Sequence, residues 1–221
     1  GYIYKYRGVN YPWEDNEFNG DVAEQFQRGS NWTFTNTAEY KHTFKGKHFM
    51  TLLAGQESIM HNSDGFSASG KGIEDSRLTQ LSAVSATAKV NGARSEYVFN
   101  SFFFRGEYNY DEKYYLDASY RRDGSSRFSE DHRWASFYSI GAMYNIKNEA
   151  FLNDVEWLND LRLKISYGTT GNSEIGNYAS LGMVAGGGSY NYNNQSGWVI
   201  GTVGNSDLTW ETLKNFSAGV S

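Results

Sequence analysis

The chain has 221 residues, a net charge of -5 and a mean hydropathy of -0.64, yet 17% of its residues are aromatic. It has no Cys, which excludes a disulfide framework and thiol chemistry. The acidic balance argues against a nucleic-acid backbone as partner, and no apolar run reaches the ~18 residues of a membrane helix. The sequence opens at Gly1 without a basic stretch followed by an apolar one. No signal peptide is visible, and the expectation is a processed protein or a piece of a longer chain.

Residues 2–8 read as a strand with imperfect alternation, followed by a long polar connection near 9–30. Period-two alternation then becomes clean. In 32–44, Trp32, Phe34, Asn36, Ala38, Tyr40, His42 and Phe44 oppose Thr33, Thr35, Thr37, Glu39, Lys41 and Thr43. Gly46 marks a tight turn into a strand near 48–59, after which 60–94 reads as a long polar loop. In 102–110, Phe102, Phe104, Gly106, Tyr108 and Tyr110 oppose Phe103, Arg105, Glu107 and Asn109. A tight turn at Asp111-Glu112 leads to 114–121, where Tyr114, Leu116, Ala118 and Tyr120 oppose Tyr115, Asp117, Ser119 and Arg121.

The stretch RRDGSSRF, 121–128, opens a polar loop near 123–133, in which Gly124 is expected to supply a turn conformation closed to most residues. Trp134, Tyr138, Ile140, Ala142, Tyr144 and Ile146 then share a strand face. In the 147–160 connection, Phe151, Val155 and Leu158 are spaced for one amphipathic helical turn. Leu161, Leu163, Ile165 and Tyr167 form the next apolar face, and 171–208 is a long loop. In 210–220, Trp210, Phe216, Ala218 and Val220 share a face, with Lys214 as the exception.

Short and long connections alternate, so tight turns gather at one end of an up-and-down sheet and long loops at the other. Aromatic residues stand near strand ends, where Tyr and Trp suit a membrane interface. Together these features predict an all-β, antiparallel transmembrane β-barrel. A soluble antiparallel sheet protein remains the alternative, because it would alternate too.

Several longer motifs occur in order. YYLDASYRRDGSSRFSEDHRWASFYSIGAMYNI is followed by FLNDVEWLNDLRLKISYGTTGNSEIGNY, with FKGKHFMTLLAGQE before them and NSDLTWET after them. They resemble the barrel of SusC/RagA-type TonB-dependent transporters, over residues 31–221, while 1–30 match poorly. The resemblance implies about eight strands from the interior of a larger, 22-stranded barrel, with no plug domain among these residues. Its motif positions here are Arg122, Asp123, Gly124, Arg127, Phe128, Gly171, Asn172, Trp210 and Glu211. It implies an outer-membrane, multi-pass location and uptake of glycans or peptides. The implied partners are a SusD-like surface lipoprotein and the TonB complex acting through a plug.

Under that reading Arg105, Glu107, Asp117 and Arg121 line the lumen. Tyr190, Tyr192 and Trp198, in the Gly- and Asn-rich loop 182–198, are candidate ligand contacts, since aromatic faces with amide donors suit sugars or peptides. The basic group Arg121, Arg122, Arg127 and Arg133 suits either lipopolysaccharide phosphates, an acidic substrate or structural salt bridges. His42, His48, His61 and His132 lack zinc spacing. DGSSRFSED has Arg127 where a calcium loop needs oxygen. No cofactor, metal or catalytic residue is expected, and no enzyme. Two other functions fit less of the sequence: a soluble carbohydrate-binding module, whose even-numbered faces would form a buried core, and a small closed eight-stranded barrel with a structural or adhesive role.

Overall fold

The computed structural model describes residues 2–7, 20–73, 75, 77–152, 155–186, 190–193 and 195–221, with positions 6, 7, 87 and 88 as backbone only. Residues 9–19 of the first expected loop lie outside the described residues. The chain is all-β. The strands are β1 (Tyr2–Arg7), β2 (Asp21–Phe44), β3 (His48–Lys71), β4 (Ala86–Tyr110), β5 (Tyr114–Ser125), β6 (Trp134–Asn145), β7 (Arg162–Asn172), β8 (Met183–Gly186), β9 (Trp198–Thr202) and β10 (Glu211–Val220). One eight-stranded sheet has the order β1-β2-β3-β4-β5-β6-β7-β10, and β8-β9 form a separate hairpin. Contacts group the chain into two units, Gly1–Trp32 with Met60–Glu96, and Thr33–Ile59 with Tyr97–Ser221.

In the second unit, register puts like with like. Tyr108, Leu116, Ala142, Ile165 and Ala218 lie in one row, and Tyr110, Tyr114, Tyr144, Leu163 and Val220 in another. The alternate positions form polar rows, such as Glu107, Asp117, Gly141, Ser166 and Ser217. Alternation of side chains across a strand makes this separation automatic once the register is set.

The apolar face is not a buried core. Phe102, Tyr138, Ile165 and Phe216 are 52%, 49%, 50% and 68% exposed. This corrects the soluble-module alternative, which needs those faces covered. From Trp134 to Tyr144 the strand rises roughly 33 Å, or about 25 Å when tilted by some 40°, the height of the apolar band on a membrane barrel.

The tight turns follow the sequence. Lys45 and Gly46 adopt φ of 49° and 69°, and Asp111 and Glu112 adopt 55° and 56°. The second pair is held by the Asn109 side-chain oxygen, which accepts from Glu112 N at 3.0 Å. Both are left-handed two-residue turns that match strand twist.

Three expectations need correction. First, the loops are shorter than expected. β2 begins inside 9–30, β3 and β4 run into 60–94, β5 runs to Ser125, and β7 to Asn172, with β8 and β9 inside 171–208. The added strand residues, such as MHNSDGFSASGK at 60–71, are mostly polar, with Met60, Phe66 and Ala68 too sparse to give a clear period-two signal. Backbone ladders and polar side-chain pairs hold them, including the Arg28–Asp64 ion pair at 3.2 Å and the contact between Asn31 and His61.

Second, among the described residues the 147–160 connection shows no amphipathic helical turn. Ile146–Asn148 and Ala150–Leu152 are single 3-10 turns, and Phe151 is 72% exposed. The Lys147 ammonium donates to the carbonyls of Leu152 and Val155, at 3.0 and 2.9 Å, which satisfies the groups a helix would have paired.

Third, Gly124 lies within β5, paired with Asn100 and Trp134, and its φ is not among the positive ones. Its role is close approach: a Cβ there would meet the Trp134 ring at 2.8 Å. Gly124→Ala is expected to cost about 1–3 kcal/mol through overpacking, read as a lower urea midpoint of the full-length protein. Adding Trp134→Ala should relieve part of that cost; strict additivity of the two changes would count against the contact.

Candidate functional site

A concave volume of about 640 Å³ lies in the second unit, lined by polar residues together with Phe49, Tyr115, Met143 and Ile165. Thr51, Arg105, Glu107, Asp117, Lys164 and Ser166 are among its lining. Arg105 and Glu107, two residues apart on β4 and so on one face, form an ion pair at 2.6 Å. Asp117 stands directly opposite Glu107. Two carboxylates in that position repel, and Arg105 offsets only one of them. Among the described residues Asp117 has no ion-pair partner. Its carboxylate sits against Gly141, where a Cβ would collide with it. The glycine opens the space that the acid occupies.

Further along the same strands Arg121 binds three neighbours. Its Nε donates to Asp123 at 2.6 Å, its Nη2 donates to Ser101 Oγ at 2.9 Å, and Nη2 lies 3.8 Å from Glu57. Its guanidinium also stands 5.7 Å from the Phe103 ring. Asp123 is 6% exposed, so the ion pair satisfies a buried carboxylate. Of the four expected lumen residues, Arg105, Glu107 and Asp117 therefore meet around one cavity, and Arg121 belongs to a separate polar network.

The motif residues do structural work of a kind that their order in the sequence does not reveal. Arg127 fastens loop 173–180 to the end of β5. It donates to Asn177 Oδ1 at 2.8 Å and to the Ser173 carbonyl at 3.3 Å, pairs with Glu174 at 3.3 Å, and lies 4.3 Å over the Tyr97 ring. Phe128, 1% exposed, stacks on Trp210 at 5.2 Å. Trp210 also packs against Phe137 and Phe99, at 5.7 and 5.9 Å, and its indole N–H donates to the Arg133 carbonyl at 3.1 Å. This corrects the expectation that Trp210 shares a face with Phe216. It precedes the first residue of β10, so strand alternation does not govern it, and it turns toward the rings of Phe99 and Phe137 instead. Gly171 has no Cβ because the Phe137 ring fills that space. Asn172 and Glu211 are register partners, joined side chain to side chain at 3.1 Å. Two motifs about forty residues apart thus form one junction.

Arg122 differs from its neighbours. It lies 5.5 Å over the Trp134 ring, which stacks on Phe102 at 6.2 Å. An arginine laid along aromatic rings keeps its charge near water while its stem covers apolar surface. Within the basic group, Arg121 and Arg127 are therefore in salt bridges, while Arg122 stacks on an aromatic ring.

Tyr190, Tyr192 and Trp198 are exposed, at 47%, 86% and 73%. Trp198 begins β9 and lies across Gly186 of β8, and Tyr192 pairs with Gln195 in a small bridge. The expected loop contacts are thus gathered on and beside one hairpin. Sequence reasoning missed Glu57, Ser101, Phe99 and Phe137. Phe99 and Phe137 are apolar residues at positions of polar parity, and that misfit was the available signal.

Where the tight turns meet, Glu149 ties the rows together. It accepts from Lys113 Nζ at 2.9 Å and from the hydroxyls of Tyr114 and Tyr144 at 3.0 and 3.1 Å. Lys113 first, then the Tyr114 hydroxyl, hold its carboxyl below the usual carboxylate range. A lowered folded-state value means the tie is fully present above about pH 4.3, the ordinary Glu value, and is lost as pH falls through the lowered one. Amide hydrogen exchange at 111–114 and 146–149 is expected to speed up in that window only. Glu149→Gln should abolish the pH dependence; an unchanged profile would exclude Glu149 as its source.

Comparison with known proteins places this geometry. A family model described as TonB dependent receptor-like, β-barrel matches residues 1–221. TonB-dependent receptor P26 of Formosa agariphila is 30% identical over 200 residues, covering 89% of this chain and 20% of its own. TonB-dependent receptor P39 of the same organism is 29% identical over 197 residues, covering 84% and 18%. A solved structure of the RagAB peptide transporter is 40% identical with a TM-score of 0.91, over 99% of this chain and 24% of that one. The RagAB peptide importer in its open-open state gives 0.88 at the same identity and coverage. The chain spans about a fifth of the length of the curated relatives it matches. Sheet order, two-faced register and these matches agree: the chain belongs to the TonB-dependent receptor β-barrel family, with SusC/RagA-type proteins among its relatives.

Proposed function

We propose that this chain forms part of the wall and loops of an outer-membrane importer that takes up peptides or glycans. The observation that carries the reading is the sheet with two solvents: one face exposed and aromatic, the other polar and concave. Lipid suits the first face, and a water-filled lumen suits the second. The relatives named above support it, since two are TonB-dependent receptors and two are structures of the RagAB transporter.

In this reading Arg105, Glu107, Asp117 and Arg121 line the lumen. Tyr190, Tyr192 and Trp198 contact the ligand from the hairpin at the long-loop end. A SusD-like surface lipoprotein covers that end, and TonB acts through a plug carried elsewhere in the protein. Arg122, at the aromatic rim, is placed to meet lipopolysaccharide phosphates. Binding energy and TonB-driven rearrangement move the cargo, and no substrate bond is made or broken.

The test is fractionation of native membranes with an antibody against 171–208, followed by detergent purification and energised uptake of labelled oligopeptides and oligosaccharides. The expected result is an outer-membrane band well above 25 kDa that carries a lipoprotein with it and takes up one cargo class. A soluble 25 kDa band would overturn the reading.

A further inference from the structure

The apolar face of β5, β6, β7 and β10 carries two charged residues, Arg122 and Lys214, and no carboxylate. Both are exposed, and both lie toward the long-loop end of their strands. Among the described residues neither is in an ion pair. A cation costs about 2–4 kcal/mol at the midplane of a lipid-facing wall and about 0–1 near its edge. Each of these two side chains therefore has to reach water or an anion.

Beside Lys214 the same face holds a shallow apolar groove of about 220 Å³. Leu116, Ile140, Ala142, Ile165, Tyr167 and Phe216 line it, with Gly141 and Ser166 of the opposite parity. The space opens where Ala142 stands in a row between Leu116 and Ile165, because a small side chain there leaves the gap between larger ones unfilled. Lys214 is one step from the groove's Phe216 along β10, toward the long loops. An apolar cavity of ~150 Å³ already takes up benzene, so this groove has room for a stretch of acyl chain.

We propose that the groove and the two cations form a binding site for one lipid A-type molecule of the outer leaflet, an acylated sugar headgroup bearing phosphates. The groove takes part of an acyl chain, and the Lys214 ammonium takes a phosphate as a point charge. Arg122, laid on the Trp134 ring at 5.5 Å, offers a planar fork that matches phosphate oxygens. It stands three strand spacings from Lys214, roughly 14 Å. A headgroup with phosphates at two ends spans that distance better than a glycerophospholipid with one. The proposal deepens the reading of this sheet as a membrane wall and rests on it, and it is independent of the cargo.

The experiment uses the full-length protein, purified in detergent and stripped of lipid, with native mass spectrometry as the readout. The probes are bis-phosphorylated lipid A, phosphatidylglycerol and inorganic phosphate. Lys214→Gln with Arg122→Gln removes both charges, and Ala142→Trp fills the groove from an exposed position. The controls are Lys45→Gln, in the tight turn at the other end, and Ala38→Trp, on β2 outside the groove. A urea midpoint equal to that of the unaltered protein shows each variant to be folded. The expected result is lipid A affinity reduced about tenfold by the double charge variant and by Ala142→Trp, and unchanged by both controls. Affinity unmoved by loss of the two charges overturns the site. Affinity unmoved by Ala142→Trp, with inorganic phosphate displacing the lipid, leaves an anion site only and overturns the acyl groove. Phosphatidylglycerol bound as tightly as lipid A overturns the choice of lipid. A full-length protein that stays in solution without detergent overturns the wall reading itself, and this proposal with it.

Discussion

Replacing Trp210, a half-buried side chain, by alanine is expected to cost about 3 kcal/mol, the low end of the range for removing a core aromatic. Three rings lean on this indole: Phe128 at 5.2 Å, Phe137 at 5.7 Å and Phe99 at 5.9 Å. Each such pair contributes roughly 0.5–1.5 kcal/mol beyond the area it buries. The hole would also open beside Gly171, whose missing Cβ already leaves that space to the Phe137 ring, so no backbone-attached group stands ready to fill it. The Arg133 carbonyl loses its indole donor as well, a contact of 3.1 Å. Trp210→Phe separates these contributions. It keeps a ring in the cluster and deletes the hydrogen bond, so most of the loss should return, short of about 1 kcal/mol. The measurement is the urea midpoint of the full-length protein in detergent, with the slope checked for constancy. A midpoint unmoved by Trp210→Ala would mean that the four rings touch without supporting the fold.

That cluster also marks the limit of what the sequence discloses. Alternation from 102 to 167 places Tyr108, Leu116, Ala142 and Ile165 on the apolar faces of their strands, and register joins them in one row. This worked because every second residue meets a different solvent, and the pattern survives without knowledge of the neighbours. Residues 60–71 escape because they are mostly polar, with Met60, Phe66 and Ala68 the few apolar ones, so composition alone resembles a loop while backbone ladders make a strand. Trp210 was read by parity, but parity begins only where the strand does, one residue later. Gly124 was read as a turn residue because Asp-Gly is a common turn pair. The reason for it lies ten residues away, in the Trp134 ring. Arg127 was recognisable as a motif position, yet its partners Asn177 and Glu174 come from a loop some fifty residues on. Local periodicity is legible, and contacts between distant motifs are not.

The sidedness of the sheet yields the second large effect, from two substitutions one residue apart. Ile140 is 51% exposed in the row of Ala118, Tyr167 and Phe216, and stands between Trp134 and Tyr144 on β6. That spacing puts it near the middle of the apolar band. Ile140→Lys should cost about 2–4 kcal/mol, the value for a cationic side chain at the bilayer midplane. Ser139 points to the other face, where its hydroxyl lies 2.7 Å from that of Ser119. Ser139→Lys gives up that hydrogen bond, about 1 kcal/mol, and leads the ammonium into the polar concavity instead of lipid. The same charge, moved by one residue, should thus differ severalfold in its cost. The readout is the fraction of full-length protein that resists urea in lipid vesicles, alongside detergent micelles in which the midplane constraint is relaxed. A larger loss for Ser139→Lys would reverse the assignment of the faces. Equal losses in vesicles would mean that neither face meets hydrocarbon, and the reading of this sheet as a membrane wall would fall with that result.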